Sequence, residues 1–299
     1  MQVNKKKLGS AIEGYLFISP WLLGLIIFTV GPVVASFWLS MTEYDIINPA
    51  RFIGFSNYRV LFREDPLFWQ ALKVTIIYTL GSVPLQLIFG FLIALLMNQK
   101  LKGISVFRTI YYLPAVISGV AVSVLWRWIF MPDVGIINIL LSKIGITGPR
   151  WLGDPNWVLP ALVIMSLWGV GGGMVIYLAG LQGIPTELYE AAELDGAGKW
   201  AKFIAVTIPM MSPVIFFNLV MGVIGSFQTF TQAYIMTQGG PQNASLFYIL
   251  YLYQRAFQEL RMGYASALAW ILFLMILACT IVIFKTSAGW VYYEGIRRG

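Results

Sequence analysis

Six long apolar segments, separated by shorter polar stretches, dominate the chain. A helix that crosses a bilayer needs roughly 20 mainly apolar residues, because each residue rises about 1.5 Å across a hydrocarbon core about 30 Å thick. The segments that satisfy this requirement are, approximately, residues 15–40, 71–97, 109–131, 157–181, 212–235 and 266–286. Their continuous apolar runs favour helices over the strands of a membrane barrel, in which apolar and polar residues alternate. The pattern predicts an all-α polytopic membrane protein with six transmembrane helices.

The first apolar segment has to be distinguished from a cleavable secretion signal, since Lys5–Lys7 precede it. A signal has an apolar region of about 7–15 residues, followed by a cleavage site of small residues. The run found here is longer and contains Trp21, Pro32 and Trp38. We therefore expect a retained first helix.

The basic residues are unevenly divided between the two sides of the predicted membrane domain. If the N-terminus is cytoplasmic, 11 Lys and Arg residues lie inside and 7 lie outside. The inside group is Lys5, Lys6, Lys7, Lys100, Lys102, Arg108, Lys199, Lys202, Lys285, Arg297 and Arg298, and the outside group is Arg51, Arg59, Arg63, Lys143, Arg150, Arg255 and Arg261. Because Lys and Arg are enriched in short cytoplasmic loops, we expect both termini to be cytoplasmic.

The polar segments at 41–70, 132–156 and 236–265 are short. Soluble domains typically take about 50 residues or more, so none of these segments has room for a separate catalytic domain. We expect residues 1–299 to form a single transmembrane domain.

The composition agrees with a lipid-facing surface and excludes several kinds of chemistry. The chain is 59% hydrophobic and 11% charged, with a mean hydropathy of +0.77, whereas average soluble domains carry about 25% charged residues. It has no histidine, which excludes His-based metal sites and Ser/His/Asp systems, and its single Cys279 excludes a disulfide scaffold. The stretch Gly196-Ala-Gly-Lys-Trp200 lacks the spacing and the hydroxyl of a phosphate loop. We expect no catalytic residue, metal site or cofactor in this chain, and no nucleic-acid partner.

The polar insert at 182–209 is far more charged than its surroundings. Its charged residues are Glu187, Glu190, Glu193, Asp195, Lys199 and Lys202. Pro185 suits the first turn of a helix, and Gly196 suits a left-handed stop. A second short helix can follow over about 197–206. The insert is therefore predicted to form a helix–turn–helix at the cytoplasmic surface.

One face of the first predicted helix carries two small side chains and little bulk. Leu188, Ala191, Ala192 and Asp195 share it at i, i+3, i+4 and i+7 spacing. The small side chains would let a partner approach the backbone closely, but many helices that rest on lipid headgroups have a similar pattern. From the residues alone, docking and resting on the membrane stay equally open.

The same insert carries a motif. Glu190-Ala191-Ala192 is followed after three residues by Gly196, and after nine more by Val206-Thr207-Ile208-Pro209. This arrangement resembles the EAA loop of permease subunits from binding-protein-dependent ABC importers, whose pattern is EAA, three residues, Gly, nine residues and Ile-any-Leu-Pro. The departures are Val206 for Ile and Ile208 for Leu, and both are conservative.

Further stretches are similar to the sugar-importer branch of that family, the MalF-like and UgpA-like permeases. They are Phe52-Ile-Gly-Phe-Ser-Asn57-Tyr58, Leu181-Gln-Gly-Ile-Pro185 and Thr237-Gln-Gly-Gly-Pro241. The resemblance covers essentially the whole chain.

The resemblance implies that the loop inserts a coupling helix into a cleft of a cytoplasmic ATPase subunit. It makes Glu190 the main polar contact, Ala191 and Ala192 the close-packed face and Gly196 the turn, with Glu187 and Asp195 beside them. The implied assembly contains a second related permease, two ATPase subunits that bind ATP and Mg, and an extracytoplasmic solute-binding protein. It would carry a carbohydrate or polyol across a prokaryotic plasma (inner) membrane. A homodimer of this chain is the alternative to an unlike pair.

A glycine run marks the first part of the predicted substrate path. Gly171, Gly172 and Gly173 follow Trp168 in the fourth segment. We expect them to weaken the helix near its middle and to let a ligand or a neighbouring helix come close. Such runs also commonly mediate helix packing, so both interpretations stay open.

Polar residues of the fifth segment form the second part of the predicted substrate path. Gln228 and Gln232 are expected one helical turn apart, with Thr229 between them. Amides can bind sugar hydroxyls, and polar residues inside a membrane tend toward function. They also form bonds between helices, which is the competing interpretation.

Two other functions stay open on the residues alone. A self-contained secondary carrier commonly has an ionisable residue in mid-membrane, and here every Asp and Glu falls outside the spans or at their ends. Backbone carbonyls alone could still bind sodium. An intramembrane enzyme acting on lipid-linked substrates would need clustered acids with a metal or a base, and the acids at 187–195 lack such a partner.

Overall fold

The structure is a computed structural model that describes residues 3–292. Its helices are α1 (Val3–Leu25), α2 (Gly31–Ser40), α3 (Ser56–Arg63), α4 (Pro66–Met97), α5 (Ile104–Val116), α6 (Gly119–Ile129), α7 (Ile136–Lys143), α8 (Val158–Ser166), α9 (Gly171–Gln182), α10 (Thr186–Leu194), α11 (Lys199–Lys202), α12 (Ile208–Phe227), α13 (Tyr248–Tyr253) and α14 (Met262–Ser287). Short π-helical turns cover Ile26–Val30, Phe203–Thr207, Ala233–Thr237 and Gln254–Gln258, and Leu167–Gly169 is a 3₁₀ turn. Two strands, β1 (Thr42–Glu43) and β2 (Arg51–Phe52), complete the secondary structure. The predicted all-α class is confirmed.

Several helices are long and apolar enough to cross a membrane. Within residues 3–292 four continuous stretches qualify, and two bent helix pairs would bring the number to six if each pair is one span. The four are Glu13–Ser40, Pro66–Met97, Lys199–Phe227 and Met262–Ser287, and the pairs are Ile104–Val116 with Gly119–Ile129 and Val158–Gly169 with Gly171–Gln182. The count of six transmembrane helices stays a prediction.

One compact unit comprises the chain up to Asp65 together with Leu252–Ile271. Its strands β1 and β2 form a small antiparallel hairpin, in which Thr42 lies opposite Phe52. The hairpin connects α2 to α3 and was not anticipated from the sequence, because two-residue strands leave no period in the apolar pattern.

Asn57 joins the start of α3 to the end of α2 through buried hydrogen bonds. Its side-chain amide donates hydrogen bonds to the carbonyl oxygens of Ser40 and Thr42, both at 2.9 Å. The hydroxyl of Tyr58 donates to the Ser40 hydroxyl at 2.8 Å. The Asn-Tyr pair of the 52–58 motif therefore fastens α3 to the end of α2.

The other unit comprises Pro66–Tyr251 and the chain from Leu272 onward. Helix α4 is its centre and packs chiefly against α9, α12 and α8. A buried core cluster in this packing consists of Ala94, Met97, Met174, Tyr177, Leu178, Leu181, Ile184 and Met211. A 2.9 Å hydrogen bond between the hydroxyls of Ser226 and Thr79 adds a polar link between α12 and α4, of the kind that joins helices in membranes.

The third apolar segment, predicted as one span over 109–131, is sharply bent. Helix α5 ends at Val116 and α6 begins at Gly119, and their axes differ by 98°. Ile117 and Ser118 between them have extended ψ angles of 139° and 132°. Pro114 lacks a backbone donor and a Ser-Gly pair follows it, and both features are frequent causes of kinks. Hydropathy does not register either of them.

The fifth segment also differs from the prediction of 212–235. Helical structure runs continuously over Lys199–Phe227, so the separate short helix expected at 197–206 is instead the first part of this helix. The π-helical turn at Phe203–Thr207 widens the backbone just before Pro209, where a regular helix would clash with the proline ring. Residues 228–230 then leave the helix. Thr229 lies in this break, and threonine has a low helix propensity because its branched side chain loses freedom in a helix.

Candidate functional site

The polar insert folds into a helix with a defined stop. Helix α10 follows Pro185, and Gly196 adopts a left-handed φ of +80°. The N–H of Gly196 donates to the carbonyl of Glu193 at 2.9 Å, and the N–H of Ala197 donates to that of Ala192 at 2.8 Å. This pair of bonds is the Schellman arrangement, which favours glycine at the left-handed position. Gly196 is the turn that the sequence predicts.

Two side-chain contacts fasten α10 to the helix that follows it. The hydroxyls of Tyr189 and Thr207 lie 3.0 Å apart and share a hydrogen bond. The ammonium of Lys202 forms an ion pair with the Glu193 carboxylate. Lys202 and Thr207 belong to the continuous helix Lys199–Phe227, so both contacts join α10 to that helix.

The exposed side of α10 differs in part from the predicted face. Leu188, Ala191 and Asp195 are exposed, as are the predicted polar contacts Glu187 and Glu190. Ala192 is half-buried, so only part of the predicted close-packed face is fully exposed. Asp195 caps the helix end and does not belong to the last helical turn.

Two exposed apolar side chains near this turn were not among the predicted contacts. Leu194 is 89% exposed and Trp200 is 76% exposed. Leu194 lies seven residues after Glu187 and three after Ala191, so helical spacing could have placed it on the exposed side. Together with the alanine it gives the acidic helix an apolar contact surface.

The second candidate site lies where two spans are broken. Helix α8 passes through the 3₁₀ turn Leu167–Gly169 into α9 with a bend of 46°. The break therefore precedes the glycine run, and Gly171, Gly172 and Gly173 are the first residues of α9.

Gly171 permits a close approach of a neighbouring helix. A methyl group on Gly171 would overlap the carbonyl oxygen of Tyr111 in α5 and would lie 3.0 Å from the Cα atom of Tyr112. Gly172 has more room, since the nearest atom to such a methyl group is the Ala115 Cβ at 3.9 Å. At Gly171 the neighbour is a helix backbone, which favours the packing interpretation of this residue.

A cavity of about 160 Å³ opens beside both breaks. Its lining includes Ile117, Gly119, Ser166, Trp168, Gly169 and Gln232. The indole, the amide and the hydroxyl offer both an apolar face and hydrogen-bonding groups. The structure therefore brings together Trp168 and Gln232 from the predicted path, with residues from the α5–α6 break and from the 3₁₀ turn in the same lining.

The other predicted path residues lie elsewhere. Gln228 follows the last residue of α12 and is exposed, outside this lining, so it is not one helical turn from Gln232. Thr229 is half-buried and interacts with the buried hydroxyl of Tyr78. Gly119 and Ser166 were missed, although the Ser118-Gly119 pair after Pro114 is a sequence signal for a break.

A row of aromatic rings leads away from the cavity. Trp168 meets Trp126 edge to face, with ring centroids 6.0 Å apart. Phe130 lies 5.1 Å from Trp126 and 5.6 Å from Trp151, which contacts Trp157 at 5.3 Å. Such contacts are worth about 0.5–1.5 kcal/mol each beyond area burial. The cavity wall is thus held firmly to residues that precede α8.

Comparison with known proteins places these features in a family. Residues 86–288 match the family model "Binding-protein-dependent transport system inner membrane component". The chain is 46% identical over 287 residues to the probable ABC transporter permease protein YesP of Bacillus subtilis, covering 95% of this chain and 93% of that one. It is 36% identical to the lactose transport system permease protein LacF of Rhizobium radiobacter, covering 92% and 94%.

The fold agrees with the same family. A crystal structure of a bacterial alginate ABC transporter, in complex with an alginate pentasaccharide-bound periplasmic protein, contains a chain that superimposes with a TM-score of 0.83 at 25% identity. The match covers 94% of this chain and 96% of that chain. No comparison supports the secondary-carrier or the enzyme alternative. The chain belongs to the binding-protein-dependent transport system inner membrane components, and is a multi-pass permease subunit of an ABC importer.

Proposed function

We propose that this chain forms one half of the path by which a carbohydrate or polyol enters a prokaryotic cell. A second, related permease supplies the other half, and two cytoplasmic ATPase subunits bind ATP and Mg and carry out the hydrolysis. An extracytoplasmic solute-binding protein delivers the substrate. The lactose permease and the alginate transporter among the relatives support a saccharide substrate.

The single observation that carries the coupling proposal is the continuity of the helix Lys199–Phe227. One end of it is fastened to α10 through Lys202 and Thr207. Its other end leads, after three non-helical residues, to the segment that places Gln232 in the cavity. Motion of a docked α10 would therefore reach the substrate path through this helix and the three residues that follow it.

The orientation follows from the distribution of charge. With both termini cytoplasmic, the 182–209 loop faces the cytoplasm, where the ATPase subunits are. Glu187 and Glu190 are exposed on α10 near its positive N-terminal end, and Ala191 and Leu194 provide apolar contact. We assign Glu190 to a charge-assisted bond with the ATPase and the alanine and leucine to close packing.

The cavity beside the broken helices is our candidate for the substrate contact. Discontinuous membrane helices form the substrate sites of many transporters, because their unwound backbone offers free donors and acceptors. Trp168 would cover the apolar side of a sugar ring, and Gln232 would bind a hydroxyl.

Reconstitution of the complete complex in proteoliposomes tests the coupling role. We expect Glu190→Ala to lower solute uptake at least about tenfold, which corresponds to about 1.4 kcal/mol of lost interaction. Glu64→Ala removes an exposed acid outside the loop and serves as the matched control. Normal uptake and normal binding-protein-stimulated hydrolysis in the Glu190 variant would refute the docking role. Uptake by this chain alone, without ATPase subunits, would refute the proposed function.

A further inference from the structure

A polar cleft lies in the unit that comprises the chain up to Asp65 together with Leu252–Ile271. None of its lining residues belongs to the coupling loop or to the lining of the cavity. The volume of the cleft is about 370 Å³. The hairpin β1–β2, the start of α3 and the first turn of α14 form its walls. These segments are brought together from positions about 200 residues apart in the chain.

Backbone contacts join the walls of the cleft. The N–H of Gly263 donates to the carbonyl of Tyr44 at 3.1 Å, which joins α14 to the chain just after β1. A methyl group on Gly263 would overlap the carbonyl oxygen of Thr42, so the two backbones lie in direct contact. Asn57 holds the same Thr42 carbonyl from the other side. A ligand would therefore meet a preformed site.

The acidic side chains around the cleft are already engaged. Glu43 forms an ion pair with Arg51 at 3.4 Å. Asp45 accepts bonds from the N–H groups of Ile47 and Asn48 at 3.1 and 2.7 Å, and its other oxygen accepts from the Asn48 amide at 2.7 Å. The N–H of Asn48 is the main cause that lowers the pKa of Asp45 below its ordinary 3.8, so this carboxylate stays charged and occupied.

Arg261 lies in the cleft lining, and among the side chains that the structure describes, those of residues 13–292, no hydrogen bond of its guanidinium is found. Its guanidinium carbon lies 4.6 Å above the centre of the Tyr264 ring, and the Tyr264 hydroxyl in turn donates to the carboxylate of Asp65. None of the ion pairs found within residues 3–292 includes Arg261. The guanidinium has five donors in a planar fork that fits a carboxylate. The cleft thus offers donors, while its nearby acceptors are in use.

Three exposed, large apolar side chains lie within two residues of the lining residues in the chain. Ile47 is 79% exposed, Phe52 64% and Phe55 70%. Exposed aromatics together with arginine are typical of the centres of protein–protein interfaces. Membrane-binding surfaces instead use clusters of about 4–8 Lys and Arg, whereas charges of both signs surround this cleft. The surroundings therefore favour a protein ligand.

We propose that the solute-binding protein docks at this cleft and that one of its carboxylate side chains binds Arg261. The assignment rests on the proposed function, because the orientation given there places the hairpin on the extracytoplasmic side of the membrane, where the solute-binding protein is. Phe52, Phe55 and Ile47 provide the apolar contact around the charged pair.

The test uses the complete importer in nanodiscs. The solute-binding protein that co-purifies with the native complex is identified by mass spectrometry, produced separately, labelled and titrated. We expect Arg261→Gln to raise its Kd at least about tenfold, and Arg261→Lys to have a smaller effect, since lysine keeps the charge but not the fork. Arg59→Gln, an exposed arginine of α3 outside the cleft, is the matched control and should change Kd less than about twofold. Phe55→Ala tests the apolar contact independently and should also weaken binding.

Unchanged affinity in both Arg261→Gln and Phe55→Ala would overturn the cleft assignment while leaving the proposed function intact. Failure of the binding protein to bind the unaltered importer would instead overturn the proposed function. Titrations in phosphatidylcholine discs with and without phosphatidylglycerol separate a lipid site from a protein site. An effect of Arg261→Gln that appears only with phosphatidylglycerol would assign the cleft to lipid and refute the proposal.

Discussion

The substitution Gly171→Ala tests the packing of the two broken helices. In an unobstructed helix interior, Ala is more favourable than Gly by roughly 0.5–1 kcal/mol. At Gly171 the added methyl group would overlap the Tyr111 carbonyl oxygen and press on the Tyr112 Cα, and neither atom belongs to a flexible side chain. Overpacking of this kind costs typically about 1–3 kcal/mol. The backbone of α5 or α9 would have to move, and the adjacent cavity with it.

Gly172→Ala is the matched control for this prediction. The nearest atom to its new methyl group is the Ala115 Cβ at 3.9 Å, an ordinary contact, so only the favourable helix term remains. The two variants should differ by about 2 kcal/mol in the free energy of unfolding, or roughly 4–8 °C in Tm. Thermal unfolding of the purified complex measures the difference, and uptake in proteoliposomes shows whether the cavity is disturbed. Equal Tm values for Gly171→Ala and Gly172→Ala would refute the argument from close approach.

Two further predictions address the coupling and the cavity. Tyr189→Phe removes the hydrogen bond to the buried Thr207 hydroxyl, which is worth about 1 kcal/mol. We therefore expect this variant to take up less solute per ATP hydrolysed. An unchanged ratio of uptake to hydrolysis would contradict the prediction. Gln232→Ala should raise the KM for uptake about fivefold, through the loss of about 1 kcal/mol of hydrogen bonding to the substrate. Gln228→Ala, outside the cavity lining, should leave the KM nearly unchanged, and equal effects of the two glutamine variants would remove the cavity from the path.

Local backbone chemistry made part of this architecture predictable. The stop at Gly196 follows from the preference of glycine for a left-handed φ. The low helix propensity of a glycine run predicted a break in the fourth segment, and the structure has one just before that run. The sequence alone could not predict that Gly171 in particular must be glycine. This requirement depends on the backbone of Tyr111, which lies 60 residues away in the chain.

Hydropathy located the apolar segments but could not describe their shapes. The 98° bend after Val116 and the continuous helix through Pro209 depend on backbone dihedral angles and on a π-helical turn, which leave the apolar pattern unchanged. The cleft at Arg261 depends on contacts between β1 and Gly263, a pairing that no local pattern encodes.

The length of the helix Lys199–Phe227 has a mechanical consequence. Its 29 residues, at about 1.5 Å each, make a rod of about 43 Å. If a partner bound at the end near Gly196 tilts the helix by about 5°, the far end is displaced by about 4 Å, roughly the rise of two to three helical residues. A small rotation of the bound partner would thus move the far end of the helix by a distance large enough to reshape a pocket for a sugar.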